Sequence, residues 1–280
     1  MVEITALRVY PVKALQGIEI ESSKLTIRGL QFDRMWMICN ENNEFVTQRQ
    51  MEKLATVSVS LKENELVLSH QSQTDLYIPF SPALKQDKKV KVWSDVCDAF
   101  DLGDEYSNWI TSAVGKFKHS DLRIVQFNTD YKRNVDANYL KGEQSHTGFS
   151  DGYPFLLANE TTLTLLNQKL KDKNESNVGI ERFRPNIIVK GIDAFEEFNI
   201  DSLVHANKQF SFGLRKPCQR CKVTTVNQFT GEISNPKEPL KTLVEINPLV
   251  DKKGAYFGMN STLLTGEGNT IKVGDELSVP

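Results

Sequence analysis

The length, charge and cysteine content of the chain limit what it can be. Its 280 residues suit one large domain or two modest ones, and its formal net charge of −2 argues against a nucleic-acid partner or a membrane-surface protein. Four cysteines are too few for a disulfide scaffold, which predicts a reducing, cytoplasmic location. We see no signal-peptide pattern and no window near the ~20 apolar residues of a membrane span.

Short segments of alternating polarity dominate the first hundred residues. Clusters of turn-forming residues, such as 40–43 and 62–64, separate these segments. Many short strands at close spacing are typical of a β-barrel or a sandwich-like unit. The predicted strands are residues 4–10, 18–27, 35–39, 56–61, 66–70, 76–80 and 90–93.

Two helices interrupt the β pattern further along the chain. Apolar residues at helical spacing predict helices over 105–117 and 161–170, the second with Asn159 as its N-terminal cap. A strand is predicted over 122–127, and the polar stretch 128–150 is predicted to be a domain junction or an active-site loop. The later predicted strands are residues 186–189, 209–213, 222–227 and 270–279. The fold class is therefore mainly β with a few helices (α+β).

The segment around Cys218-x-x-Cys221 is the strongest candidate for chemistry. Lys216, Arg220 and Lys222 flank the two cysteines, and positive neighbours favour a thiolate over a thiol. A thiolate can attack an electrophile or bind a soft metal. The first interpretation is therefore one reactive or metal-ligating thiolate beside an anion site.

Three other interpretations of the cysteine pair remain open. A thioredoxin-like redox pair follows a strand and opens a helix, whereas here a strand is predicted after the pair. A structural zinc site needs four ligands, but Cys39 and Cys97 are isolated in the sequence and the four histidines form no ligand pair. The cysteines also fit two packed residues at the start of a strand.

Further polar residues lie next to predicted strands. Arg184 and Asn186 flank a proline before a strand, and the planar guanidinium of an arginine suits a phosphate or a carboxylate, although a surface salt bridge is equally consistent. Asp151 and Gly152 form either a simple turn or a loop that contacts a ligand.

Lys13, Arg34 and Arg49 lie near the ends of three predicted strands of the N-terminal part. Together they would form an anion-binding rim on a nearly neutral protein. The chain has no dinucleotide-binding Gly-x-Gly-x-x-Gly, no P-loop and no Gly-x-Ser-x-Gly motif. A nucleotide-dependent dehydrogenase, a P-loop NTPase and an α/β-hydrolase are therefore poor fits.

The order of these motifs resembles the MOSC family, named for the C-terminal domain of molybdenum-cofactor sulfurase. Eight short motifs in order make the resemblance specific, although each alone is weak. It implies an N-terminal MOSC-associated β-barrel domain over residues 1–120 and a β-barrel MOSC domain over 121–280, and such proteins can thread the chain between their β units. The matching segments are 11–13, 29–36, 47–49, 151–154, 183–186, 216–221, 224–226 and 257–260.

Within this family the chain is most similar to the mitochondrial amidoxime-reducing components and their bacterial relatives. That resemblance implies a molybdenum–pyranopterin cofactor and the reduction of N-hydroxylated or N-oxide compounds. It makes Cys221 the metal ligand and catalytic residue, with Cys218 as a neighbour only. The residues implied to contact the cofactor are Lys13, Arg34, Arg49, Asp151, Gly152, Arg184, Asn186 and Arg220.

The resemblance also implies a separate electron-donor protein of the ferredoxin, flavodoxin or cytochrome kind, because no cluster of four cysteines follows the MOSC part. The alternative is a non-redox carrier of molybdenum cofactor or sulfur, with Cys221 as ligand or persulfide site. Two departures from the family pattern are Ala14, where relatives often have serine, and the region 195–210, which would reshape the substrate mouth.

Overall fold

The computed structural model describes residues 1–82 and 86–280 of the protein. In these residues strands predominate, with three α-helices, α1 (Asp104–Val114), α2 (Glu160–Asp172) and α3 (Leu240–Glu245). The predicted mainly β fold with a few helices is therefore confirmed. The strands in chain order are β1 (Val2–Val9), β2 (Ile18–Ile20), β3 (Ser22–Thr26), β4 (Gly29–Leu30), β5 (Trp36–Cys39), β6 (Ser58–Leu61), β7 (Glu65–Ser69), β8 (Leu76–Pro79), β9 (Gln86–Val92), β10 (Asp95–Asp101), β11 (Arg123–Phe127), β12 (Arg133–Asn134), β13 (His146–Thr147), β14 (Phe155–Asn159), β15 (Ile187–Lys190), β16 (Ser202–His205), β17 (Ser211–Gln219), β18 (Tyr256–Thr265), β19 (Thr270–Lys272) and β20 (Glu276–Ser278).

Seven strands close into a barrel in the order β15-β14-β18-β17-β16-β20-β1, and β1 pairs with β15 to complete the ring. Neighbouring strands are antiparallel except β14 and β15, which are parallel and joined through α2. Because successive strand residues point to opposite faces, one set fills the interior, including Leu7 and Phe212. On the outside, Leu166 and Leu170 of α2 pack in one cluster with Ala158 of β14.

A second β unit lies beside the barrel. It contains the four-stranded sheet β5-β11-β10-β9 and the three-stranded sheet β6-β7-β8. Helix α1 packs onto it through Ile110 and Val114, which share a cluster with Trp36 and Leu68. The cleft described below lies where residues of this unit meet the loops of the barrel.

Each β unit contains strands from both sides of the predicted boundary between residues 120 and 121. Strand β1, at the start of the chain, belongs to the barrel, while β11 pairs with β5 and β10 of the second unit. The chain thus passes between the two β units more than once. The division at 120/121 stays a prediction about sequence units.

The predicted strand over 222–227 is wrong, because residues Lys222–Thr225 form a 3₁₀ helix. The β-branched residues of this segment favour a strand in the sequence, but two of their hydroxyls bond locally. Thr224 Oγ1 donates to the Cys221 carbonyl at 3.0 Å and Thr225 Oγ1 to the Lys222 carbonyl at 2.8 Å. Such side-chain bonds to the preceding turn compete with strand pairing.

Other predicted elements lie close to the observed ones. The Asn159 cap is confirmed, since its side chain accepts a bond from the Thr161 N–H at 3.0 Å, and α1 ends before Gly115, which has φ 92°. The single strand predicted over 18–27 is two strands, β2 and β3. The strand predicted over 270–279 is likewise two, β19 and β20, and among strands of four or more residues β10, β14, β16 and β18 were not predicted. Strand β18 is buried along most of its length and shows little alternation.

No helix in the ranges 1–82 and 86–280 has the length and apolar content needed to cross a membrane.

Candidate functional site

All nine residues that the sequence predicts for the site line one cleft. Its empty space measures about 800 Å³ counting the open mouth, which is within the range of small-molecule sites. Three of the nine come from the first fifty residues, and six come from the loops and strand ends of the barrel. They are Cys221, Lys13, Arg34, Arg49, Asp151, Gly152, Arg184, Asn186 and Arg220.

The two cleft cysteines differ from the other two cysteines of the chain. Cys221 is half-buried just after β17, and the Nε of Arg49 donates to its Sγ at 3.2 Å. Cys218 lies near the end of β17, and its Sγ accepts from Arg220 Nη1 at 2.8 Å. A guanidinium donor is a charge-assisted partner suited to sulfur carrying negative charge.

The remaining thiols are in apolar surroundings. Burial raises the pKa of Cys39 to about 12 and the pKa of Cys97 to about 11. These two thiols therefore stay protonated and unreactive at neutral pH. Thiol chemistry is therefore expected of Cys218 and Cys221 and not of Cys39 and Cys97.

Two interpretations of the cysteine pair change with the structure. The strand predicted after the pair, which disfavoured a redox pair, is absent: β17 contains Cys218, and a 3₁₀ helix follows Cys221, so the redox interpretation stays open. For zinc, no group of three or more His, Cys, Asp or Glu side chains converges in the part of the chain that the structure describes.

Lys13, which is buried, forms an ion pair at one wall of the cleft with Asp151, which is exposed. Lys13 Nζ donates to Asp151 Oδ1 at 2.6 Å and to the Phe149 carbonyl at 2.8 Å. Burial lowers the pKa of Lys13 to about 8, although the charge of Asp151 opposes the shift. Burial alone would raise the pKa of Asp151, but the charges of Lys13 and Arg49 outweigh it and hold that pKa well below its usual range.

Arg49 connects this ion pair to the sulfur. Its Nη2 lies 3.3 Å from Asp151 Oδ2 while its Nε donates to Cys221 Sγ. The side chain is therefore oriented at both ends of its guanidinium. Asp151 thus orients the Arg49 side chain, and Arg49 in turn orients the Cys221 thiol.

Arg184 is a half-buried cation with a buried, unused donor. Its Nη1 donates to the Leu15 carbonyl at 2.7 Å, whereas Nη2 is buried and has no hydrogen-bond partner among the described residues. Burial, together with the nearby Arg34 charge, lowers the pKa of Arg184 to about 10, so it remains charged at neutral pH. A buried guanidinium with a free N–H group is costly unless an anion pairs with it.

Tyr10 links the two arginines, and no motif in the sequence predicts this role. The guanidinium carbons of Arg34 and Arg184 each lie 4.3 Å from the centre of its fully buried ring. Its hydroxyl has no hydrogen-bond partner among the described residues. Gly17 leaves room for the ring, since a Cβ there would lie 2.3 Å from Tyr10 Cε1.

Asn186 lines the cleft but uses its amide within the protein. Its Oδ1 accepts from Arg34 Nη1 at 3.0 Å, and its Nδ2 donates to Asp33 Oδ1 at 3.0 Å and to the Arg8 carbonyl at 3.1 Å. Asp33 also pairs with Arg34 at 2.6 Å. Asn186 thus fixes Arg34 in place.

Arg220 and Gly152 lie on other parts of the wall. Arg220 donates from Nη2 to the Phe183 carbonyl at 2.7 Å, and its Nε is buried with no partner among the described residues. A Cβ added at Gly152 would meet no atom within 4 Å, so this glycine faces open space in the cleft.

Arg133 was missed because nothing in the polar stretch 128–150 distinguishes one basic residue. It is buried and donates to three loop carbonyls, at 3.0 Å to Gly148, 2.5 Å to Ser150 and 3.2 Å to Asp151. It also pairs with Asp95 at 2.8 Å. Arg133 therefore holds the loop that presents Asp151.

The same loop approaches the N-terminal part too closely for a side chain at one position. A Cβ at Gly148 would lie 2.9 Å from the Arg34 carbonyl oxygen, and the Phe149 N–H donates to that carbonyl at 2.9 Å. The carbonyl of Arg34 thus anchors the loop beside the guanidinium of the same residue.

The cleft as a whole is strongly positive. Five of its lining residues are cations and one, Asp151, is a carboxylate. A concave, positively charged wall with buried donors attracts and orients anions. The thiol of Cys221 lies within this field, so a soft metal carried by an anionic ligand would find both partners in one place.

Two family models match the chain. Residues 1–117 match the MOSC N-terminal beta barrel domain and residues 144–278 match the MOSC domain. The chain belongs to the MOSC family. The family resemblance seen in the sequence is thereby confirmed, and so is the β-barrel architecture expected of a MOSC protein.

This MOSC protein has relatives of two kinds. It is 30% identical to mitochondrial amidoxime-reducing component 1 of Homo sapiens, over 97% of this chain and 81% of that protein. It is 32% identical to mitochondrial amidoxime reducing component 2 of Bos taurus, over 86% of this chain and 70% of that protein. It is also 28% identical to molybdenum cofactor sulfurase of Bos taurus, over 98% of this chain but only 32% of that protein.

Proposed function

We propose that the cleft binds a molybdenum–pyranopterin cofactor and that the protein reduces N-hydroxylated or N-oxide compounds. The observation that carries the proposal is the Cys221 thiol, held by Arg49 inside a cleft with five cations and one carboxylate. The match to amidoxime-reducing components over most of the chain supports the same reaction class.

The residues present fit such a cofactor. A phosphate monoester carries about −1.5 to −2 charges at neutral pH and needs several cationic donors when it is removed from water. Arg184 offers a buried, unpaired Nη2, and Arg220 offers a buried, unpaired Nε. Lys13, which is buried, supplies a further cation in the cleft.

Each group has a defined role in this proposal. Cys221 would supply the single soft thiolate ligand to the metal. When bound, the cofactor would supply the two-electron redox chemistry, and the protein controls ligation, orientation and access. Arg49 orients the Cys221 sulfur, and Asp151 orients Arg49 and accepts a hydrogen bond from Lys13 Nζ.

The overall reaction needs an external supply of electrons. Conversion of an N–OH group to N–H and water consumes two electrons and two protons. We propose that a separate ferredoxin-, flavodoxin- or cytochrome-like protein delivers the electrons, and that the substrate is a small molecule. The cytoplasmic location and the absence of nucleic-acid or membrane partners remain predictions.

Two cysteine variants test the proposal. After expression in cells that make the cofactor, wild-type protein should contain molybdenum and reduce benzamidoxime with a chemical electron donor. Cys221→Ser should lose both metal and activity, whereas Cys218→Ser should keep the metal. Equal metal loss in both variants would show that Cys221 is not the unique ligand.

The alternative function is a non-redox carrier of molybdenum cofactor or sulfur at Cys221. It is favoured by the match to molybdenum cofactor sulfurase, which covers 98% of this chain. The same experiment separates the two functions. Metal bound through Cys221 without reduction of any N-hydroxylated compound would support the carrier.

A further inference from the structure

Trp93 is an exposed aromatic residue that contacts two residues of the cleft lining, Arg49 and Asp151. It lies in the two-residue turn between β9 and β10, where Val92 pairs with Asp95. Its side chain is 47% exposed, whereas Trp36 and Trp109 are buried. Its φ of 56° is in the left-handed region, which is strained for a bulky residue and in such turns usually suits Asn or Gly. Neither burial nor turn chemistry therefore favours tryptophan here.

Three contacts hold the indole against the wall of the cleft. Its Nε1 donates to Asp151 Oδ1 at 3.3 Å, and the Arg49 guanidinium carbon lies 4.6 Å from its ring. The ring of Phe45 packs edge-on, with 5.0 Å between centroids. Because Arg49 also donates to Cys221 Sγ, only one side chain separates the indole from the proposed metal ligand.

We propose that Trp93 is a specificity-determining residue that stacks on the planar part of the substrate. The inference rests on the proposed function, because it assumes that reduction occurs beside Cys221. An indole offers a large, rigid apolar surface, and planar rings stack on aromatic side chains with little demand for hydrogen bonding. Held by Asp151 and Arg49, the ring is already oriented before a substrate arrives.

Two substrates with the same reacting group measure the effect. Benzamidoxime has a planar ring next to the amidoxime, and acetamidoxime has a methyl group there. In Trp93→Leu, the ratio of kcat/KM for benzamidoxime to that for acetamidoxime should fall about tenfold, the scale expected for one lost stacking contact. Trp93→Phe, which keeps a planar ring, should retain the ratio within about threefold.

Tyr77→Leu is the matched control. Tyr77 is 46% exposed and also contacts a cation, with Lys62 Nζ 4.6 Å from its ring, but Lys62 does not line the cleft, whereas the two partners of Trp93, Arg49 and Asp151, do. This variant should leave the ratio unchanged. An equal fall of kcat/KM for both amidoximes in Trp93→Leu would overturn the proposal, because the indole would then serve only to position Arg49 and Asp151.

A binding measurement separates this inference from the proposed reaction. Without an electron donor, benzamidoxime should quench the intrinsic fluorescence of the wild-type protein and of Tyr77→Leu, but not that of Trp93→Leu. If the wild-type protein reduced neither amidoxime, the proposed function would be wrong. The fluorescence quenching alone would then test whether benzamidoxime stacks on Trp93, and its absence in the wild type would refute this stacking.

Discussion

The buried charge of Lys13 is expected to destabilise the ligand-free fold. Burial lowers its pKa from 10.5 to about 8, and the side chain is only 8% exposed. At about 1.4 kcal/mol per unit, this shift corresponds to about 3 kcal/mol. The folded pKa is below the unfolded one, so the unfolded chain binds the extra proton between pH 8 and 10.5. The penalty is therefore fully present below pH 8 and disappears as the pH rises toward 10.5.

Lys13→Met removes the charge and keeps the apolar part of the side chain. Urea unfolding of the ligand-free proteins at several pH values would measure the difference in unfolding free energy between the variant and the wild type. The unfolding free energy of the variant minus that of the wild type should be about 2 kcal/mol larger at pH 7 than at pH 10. It should also bind inorganic phosphate more weakly, because the cleft has lost a cation.

Lys91→Met, at a half-exposed lysine, is the control, and its stability should follow that of the wild type across the same pH range. Parallel pH profiles for Lys13→Met and the wild type would refute the reasoning, because the Lys13 ammonium would then carry no burial penalty.

Variants at three further positions test the supports of the cleft. Tyr10→Leu should weaken phosphate binding about tenfold by calorimetry, since the ring beside Arg34 and Arg184 is lost, whereas Tyr10→Phe should bind like the wild type because the hydroxyl has no described partner; equal weakening in both would contradict this. Arg133→Met should lower the unfolding free energy by about 3–5 kcal/mol and speed amide exchange in residues 148–151, and unchanged exchange would argue against its anchoring role. Gly152→Ala should change stability by less than about 0.5 kcal/mol but reduce the molybdenum retained on purification, and full retention would place the cofactor away from this glycine.

The sequence predicted the parts of the site that carry local motifs. Arg184 next to a proline, Asp151 before a glycine and the Cys218-x-x-Cys221 pair each stand out by residue type and spacing. Their convergence in one cleft follows from barrel closure, which no single segment encodes. The family resemblance alone predicted that these residues converge, because it implies that they contact one cofactor.

The missed features depend on long-range contacts. Arg133 is one basic residue in a polar stretch, and only its burial against three carbonyls distinguishes it. Strand β18 has no clear alternation because it is buried along most of its length. The Thr224 and Thr225 hydroxyls turn a β-branched segment into a 3₁₀ helix, an effect of local bonding that strand propensity does not register.

Closure of the barrel sets the order of events during synthesis of the protein. Strand β1 pairs with β2 nearby in the chain, but Val2 pairs with Leu277, so this barrel contact forms only after residue 277 has been synthesised. Pairings of such long sequence separation form slowly. Because Lys13 follows β1 directly while Cys221 follows β17, the cleft is incomplete on a nascent chain.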